Sequence, residues 1–569
     1  MTCSSKHFLE ETGKHWAVPI YQSDPTQLHF LVNSSEDLQL FCAKLSEMEY
    51  YLVTVVANDE RELEDHCFKI YYLFSHPTEN LFVTLELSLK QGQHTYPSIA
   101  NMFPAAQLLE DEIADLFGLF PDSGSDNLRH IVRLHGGYPE GFYPLRRDSP
   151  DRAFPKPNQP INVPAVLTFP SILVDPENLP QKGVYIPVGP IHAGVIEPGN
   201  FLFYLESETI EGLQIRLGYT HKGIERLFQR KYRLINGWQL AEKVSGEMSF
   251  AHNLAYCKAV ESLMQAHPTD EANLLRAVFL ELERLYNHIG DCSALIHDLA
   301  LEVIAADLSV LRERLMGLNQ ALTGSRFLRG VNKPGGITLP EPLRKQWILE
   351  VVRRVVDSFL NAARNILLRS DFRERTINVG VLPKKAVLRL GITGLAARAS
   401  GVMRDFRLQH PFSPYDEDEI QSLLRSAFEQ IDLPLYPTDV MKGDVFARFV
   451  QRVVEVELAR KLVEKFLGWW KDTSITEFCL PLSSPVSNYE MGFGYAEGWR
   501  GDVVYWIMKD KFDGIFRCKV RDPSALNWAG LREAVVFTLE PEDKSNYTAL
   551  VDFPVINKSF NLSYSGVDL

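Results

Sequence analysis

The run TDEANLLRAVFLELERLYNH, residues 269–288, settles what kind of fold most of this chain adopts. Leu275, Val278, Phe279, Leu282, Tyr286 and Ile289 recur at spacings of three and four, which puts them on one stripe of a helix bound for a core. Thr269 or Asp270, just after Pro268, is placed to cap its start. Glu281, Arg284 and His288 fall in one line beside the stripe, because the same spacings keep them on one face. Outward from this run, further helices fit 341–369 and 441–470. A short β region fits Val184 to Ile215, and the text beyond residue 485 turns glycine-rich and β-like.

Upstream the period changes. From Leu81 to Lys90, Leu81, Val83, Leu85, Leu87 and Leu89 share one face, while Thr84, Glu86, Ser88 and Lys90 share the other, the pattern of a strand covering a core on one side. Tyr51–Ala57 reads as a second strand. Pro104–Phe117 reads as a helix stopped by Gly118, with Glu110, Asp111 and Glu112 most simply a solvated face. Residues 151–183 are crowded with prolines, which fix φ and remove donors, so they read as a linker or extended arm. The expectation is an α+β protein: a small α+β domain at 1–150, the linker at 151–183, and a mostly helical domain with a small β region at 184–569.

Composition narrows the function. The chain has 59 basic and 73 acidic side chains, a net charge of −14, which argues against a nucleic-acid partner. Its seven cysteines are scattered with no CxxC pair, so an iron–sulfur cluster or zinc site held by this chain alone is not expected. No stretch approaches the ~18 apolar residues of a membrane span. The opening residues lack an apolar signal core and carry Glu10 and Glu11, so membrane association is expected to come through partner subunits. Gly492–Gly501 (GFGYAEGWRG) lacks the strand–GxGxxG–helix context of a nucleotide loop, and NAD binding is rejected.

A resemblance enters through motifs. Tyr96–Pro97–Ser98, Glu110–Gly118 (EDEIADLFG) and Tyr143–Asp148 (YPLRRD) resemble the accessory peripheral subunit of respiratory complex I, with Arg147 where lysine is usual. Gly189–His192 (GPIH), Gly218–Glu225 (GYTHKGIE), Phe250–Tyr256 (FAHNLAY), Glu281–His288 (ELERLYNH), Arg398–Gly401, Gly443–Val445 and Glu497–Asp502 (EGWRGD) follow in the order of the complex I quinone-pocket subunit and of the large subunit of membrane-bound NiFe hydrogenases. Both halves in one chain are similar to the fused large subunit of formate hydrogenlyase-type complexes.

The resemblance also marks departures. The hydrogenase thiolate pair before F-A-H is replaced by Ser245 and Met248, and the second pair is missing from 552–566. Nickel and low-spin iron need soft anionic sulfur, so the resemblance implies no metal and no cofactor bound by this chain. The quinone-binding tyrosine of complex I corresponds to Gly246 and its histidine to Asn200, which puts a standard ubiquinone site in doubt, though a quinone remains a candidate acceptor. His192 matches an earlier histidine of that turn. His221 and Lys222 match a turn facing an iron–sulfur cluster of a neighbouring small subunit. His288 and Asp298 match a histidine–aspartate pair that passes protonation change toward membrane ion-translocating subunits.

Plainer roles stand beside these. His288 reads equally as a satisfied core histidine, His252 as a packing residue beside Tyr256, and Glu497 with Arg500 as a buried ion pair fixing a turn. The expected protein is an oxidoreductase-complex subunit on the cytoplasmic side of a membrane, coupling electron transfer to ion movement. The rival of another class is a scaffold or coupling subunit with no redox reaction of its own.

Overall fold

The computed structural model describes residues 6, 9, 13–20, 24–122, 141–150, 171–172, 183–192, 196–429, 431, 433–434, 441–482, 487–536 and 548–569. In the N-terminal domain, β1 (Ala17–Ile20), β2 (Gln27–Val32), β3 (Tyr51–Glu60), β4 (Cys67–Ser75) and β5 (Phe82–Ser88) form one sheet in the order β1-β2-β5-β4-β3. Helix α1 (Ser35–Glu47) starts at Ser34, whose hydroxyl accepts the Asp37 amide at 3.1 Å. Helix α2 (Ala106–Phe117) ends at Gly118, whose φ of 63° is the left-handed stop that glycine adopts without strain. The two motif pieces of this domain meet here: the Leu145 amide donates to the Leu116 carbonyl, and Arg146 Nε to the Phe117 carbonyl.

The alternation of 81–90 is observed, but the sheet is covered on both faces rather than one. Leu52, Val55, Ile70, Tyr72, Phe74, Val83 and Leu85 face α1 and α2. Tyr51, Val53, Tyr71, Leu73 and Phe82 meet Phe406, Phe493, Trp506 and Met508 of the C-terminal domain. The acids of α2 are likewise buried, not solvated. Glu110 accepts the Ser98 hydroxyl at 2.6 Å and the Ile99 amide at 2.9 Å, and Glu112 pairs with Lys519 from the far end of the chain. A buried carboxylate persists where it is paired, and these pairs come from other segments.

The proline-rich boundary lies almost wholly outside the described residues; Ser171–Ile172 forms a two-residue strand on the next sheet. That sheet continues antiparallel through β8 (Thr209–Arg216) and β7 (Asn200–Glu206) to β6 (Val184–Val188). Then come α3 (Ile224–Lys231), α4 (Ser249–Leu263), α5 (Asp270–Asp298), α6 (Glu302–Thr323), α7 (Lys345–Leu367) and α8 (Val445–Trp469). A three-stranded antiparallel sheet, β9 (Met491–Glu497), β10 (Asp502–Lys509) and β11 (Ile515–Arg521), precedes α9 (Ser524–Val536) and α10 (Phe553–Phe560).

Thr269 caps α5, accepting the Ala272 amide at 3.2 Å. The apolar stripe read from the sequence packs α5 between α6 and α8. The glycine-rich run is explained by close approach: a side chain at Gly494 would sit 2.2 Å from the Ala255 carbonyl oxygen, so β9 lies directly on α4. Among the described residues no helix is long and apolar enough to cross a membrane.

Candidate functional site: a polar cleft above a buried charge network

Four loop segments, one of them carrying Glu197, and three helices line a cavity of about 380 Å3. Ser245, Gly246 and Glu247, in the turn before α4, form one wall; Asn561–Ser565, after α10, form another. Asn287 and Asp291 from α5, Arg312 from α6, Lys558 from α10 and Arg500 from the turn after β9 complete it. The Ser245 and Ser563 hydroxyl oxygens lie 3.1 Å apart. Arg500 stacks on Trp499 at 4.0 Å, donates to the Asn561 carbonyl and pairs with Glu247.

Beneath the cavity runs a network of buried charges. Asn561 donates to Asp291 Oδ1, and Asp291 pairs with Arg452 of α8 at 3.1 Å. One turn farther along α8, Glu455 accepts from His288 Nε2 at 2.9 Å and from Arg398 Nε at 2.8 Å, with Arg284 at 3.5 Å. Arg398 also holds Glu497 at 2.7 Å. Arg407 then joins Asp405 to Glu281, whose carboxylate also accepts the Tyr415 hydroxyl at 2.6 Å.

Burial sets the electrostatics. Glu455 is desolvated, which alone would raise its pKa, but Arg398, His288 and Arg284 outweigh this and hold the carboxyl well below its ordinary value. Burial pushes Glu497 up to about 7, with the Asp405 charge adding to it. Burial also pushes Glu283 up to about 8, although it accepts the Phe250 and Ala251 amides at the start of α4 at 2.7 and 3.1 Å. His288 is pushed down by burial against the pull of Glu455; among the described residues its Nδ1 has no hydrogen-bond partner, which fits a neutral ring donating from Nε2.

The fold distributes the residues singled out from sequence as follows. Ser245 and Arg500 line the cavity. Met248 does not: it is fully buried against Gly498 in the core. His288 and Glu497 belong to the network below. His288 bonds to Glu455 and not to Asp298, correcting the expected pair, because ten residues of helix separate the two by about 15 Å along the axis. Asp298 closes α5, its pKa raised by burial and restrained by Lys558 and His297.

The others hold loops. His192 bonds to the Gly199 carbonyl at 2.8 Å, and Asn200 donates to the Val188 and Gly189 carbonyls. His221 meets the Asp568 carbonyl at 2.7 Å, and Lys222 donates to the carbonyls of Lys243 and Val244 at 2.9 Å each. His252 is more than a packing residue: it bridges Asp522 at 3.0 Å and the Tyr505 hydroxyl at 3.1 Å.

Sequence reasoning missed Glu455, Arg452, Asp291 and Asn561. For Arg452 and Glu455 a signal is present in α8, where Arg448, Gln451, Arg452 and Glu455 form a polar stripe at helical spacing inside an otherwise buried helix. Among the described residues no cysteine lines the cavity; Cys257 donates to Asn253 at 3.1 Å and Cys479 lies 3.5 Å from the Thr338 hydroxyl.

Comparison with known proteins gives two family matches on one chain. Residues 31–155 match the respiratory-chain NADH dehydrogenase 30 Kd subunit, and residues 307–568 match the respiratory-chain NADH dehydrogenase 49 Kd subunit. Formate hydrogenlyase subunit 5 of Escherichia coli K12 is 27% identical over 92% of this chain and 89% of its own length. Hydrogenase-4 component G of the same organism is 28% identical, over 85% and 79%. The NADH-quinone oxidoreductase C/D fusion of Aeromonas hydrophila is 25% identical, over 86% and 84%. Among solved structures, a chain of the membrane-bound sulfane sulfur reductase, an archaeal respiratory membrane complex, superposes with a TM-score of 0.57 at 20% identity. The match covers 68% of this chain and 98% of that one, and shows the shared fold.

Proposed function

We propose that this chain, a fusion of the 30 Kd and 49 Kd subunit families of the respiratory-chain NADH dehydrogenase, is the large peripheral subunit of a membrane-bound redox complex that works without a nickel–iron centre. Electrons reach an iron–sulfur cluster in a small partner subunit, on the cytoplasmic side of the membrane. The redox change is felt in the cleft and passed through the charge network of α5 and α8 to ion-translocating membrane subunits.

The observation that carries this reading is the Ser245–Ser563 hydroxyl pair at the meeting point of the two loops where the hydrogenase resemblance calls for thiolates. Hydroxyls stay protonated at neutral pH, and the nearby carboxylates Glu247 and Asp291 are already paired with Arg500 and Arg452. Such a donor set does not fit a nickel–iron centre, which needs soft anionic sulfur. The quinone acid pair has no counterpart either: Gly246 carries no phenol, and Asn200 is committed to its turn.

Metal analysis and electron paramagnetic resonance of the purified complex test this. The expected result is no stoichiometric nickel, with a reducible cluster in a partner. Nickel at one per chain overturns it. A second reading, a coupling scaffold without redox chemistry, is favoured by Lys222, whose ammonium is used on two backbone carbonyls. That reading wins if the complex holds no reducible cluster.

A further inference from the structure

Two cations line the cleft without a direct ion pair among the described residues. Lys558 of α10 and Arg312 of α6 are both half-buried in its wall, and among the described residues neither forms a hydrogen bond or an ion pair. Arg312 is positioned by packing: its side chain crosses α5 at Gly290, where a Cβ would stand 2.7 Å from Arg312 Cδ. Asp298 lies within electrostatic reach of Lys558, and Glu313 within that of Arg312, but Asp298 makes no ion pair and Glu313 pairs with Arg326 instead.

The acids of the wall are already engaged. Asp291 faces Arg452, and Glu247 faces Arg500. Glu197 accepts the backbone amides of Tyr564 and Ser565 at 3.2 and 3.0 Å. The hydroxyls of Ser245 and Ser563 share one mutual hydrogen bond, and their oxygens also accept from Arg500 at 3.5 Å and from the Gly566 amide at 3.0 Å, so one of the two O–H groups is not used as a donor in that pair. The volume of about 380 Å3 would admit an organic ring, but the charged and hydroxyl side chains in its wall select the ligand.

We infer that this cleft binds a small oxoanion, of the carboxylate, bicarbonate or phosphate type, with its charge against Lys558 and Arg312 and one oxygen on the Ser245–Ser563 hydroxyls. A compact anion whose charge is shared over two or more oxygens answers both the two cations and the spare donor, which a neutral quinone head does not. This deepens the proposed function by naming the chemistry of the cleft, and it rests on that reading in one respect: the cleft holds no metal.

The full-length chain is titrated separately with potassium acetate, bicarbonate and phosphate at constant ionic strength in a chloride background. Trp499, stacked on Arg500, serves as the fluorescent reporter. Saturable binding of at least one anion is expected, and the one bound most tightly identifies the type. Lys558→Gln and Arg312→Gln each weaken it about tenfold, while Lys558→Arg retains it. Both side chains are half-buried at the wall, so circular dichroism confirms that the variants stay folded. The inference is overturned if none of the three anions saturates, or if Lys558→Gln and Arg312→Gln bind as the parent does. Finding nickel sinks the proposed function through a different measurement; absence of nickel together with absence of anion binding sinks this inference alone.

Discussion

Replacing Glu455 by Gln tests whether the buried network behaves as one electrostatic unit. The substitution preserves shape and one carbonyl acceptor, but it removes the charge that faces His288 at 2.9 Å, Arg398 at 2.8 Å and Arg284 at 3.5 Å. A hydrogen bond to a charged group contributes about 1.5–3 kcal/mol, and Gln satisfies one where the carboxylate satisfied at least two. The expected loss is therefore about 3–5 kcal/mol, the range for breaking one side of a buried ion pair. Glu419→Gln is the control, because its pair with Lys465 lies at the surface and is expected to contribute about 1 kcal/mol or less. Urea unfolding of the full chain reads both, as midpoint shifts at unchanged slope. Glu455 has a depressed pKa in the fold, so its stabilisation is complete above the unfolded value of about 4.3 and fades as pH falls toward the folded one; the gap between parent and Glu455→Gln should narrow on acidification below that point. A cost no greater than that of Glu419→Gln, or a gap that does not narrow, refutes the electrostatic account.

Further outcomes follow from other buried groups. Glu283, pushed up to about 8, holds a proton in the fold that the unfolded chain releases, so it contributes stability that is complete at low pH and lost as pH rises through 8; Glu283→Gln should flatten the fall in melting temperature between about pH 4.3 and 8. Among the described residues the Lys258 ammonium has no hydrogen-bond partner; it sits over Tyr495 at 3.7 Å and Phe412 at 4.3 Å, with burial lowering its pKa to about 7. Lys258→Met should therefore stabilise the protein by roughly 1–3 kcal/mol below pH 7, net of the lost ring contact, with the gain shrinking as pH rises toward 10. Ser245→Cys with Met248→Cys should leave nickel absent by elemental analysis, because the second position faces the core and not the cleft.

What the sequence made legible is what local periodicity controls. The apolar stripe of α5, its threonine cap, the glycine stop of α2 and the alternation of β5 all depend on neighbours within a few residues. Motif order added the two halves and their fusion. Spacing misplaces the acids of α2 on a solvated face because Glu112 finds Lys519 some four hundred positions away, a distance over which no spacing rule operates. The acid that His288 meets is hidden for the same reason: Asp298 is near in sequence, whereas Glu455 is near in space through the packing of α8 on α5. The cleft fell between these cases. Ser245 and Arg500 stand within recognisable motifs, while Lys558, Arg312 and Ser563 acquire meaning only when the loops and the three helices meet.

The double-sided burial of the first sheet has an evolutionary consequence. Tyr51, Tyr71 and Phe82 pack into the second domain, Arg517 donates to the Ala57 carbonyl at 3.0 Å, and His410 reaches Ser75 at 2.7 Å. None of these contacts passes through residues 151–182, so cohesion between the halves does not depend on peptide continuity. A gene split within that stretch would yield two polypeptides that still find each other through the same greasy, hydrogen-bonded seam, and a later fusion would change their stoichiometry and timing of synthesis without redesigning the particle.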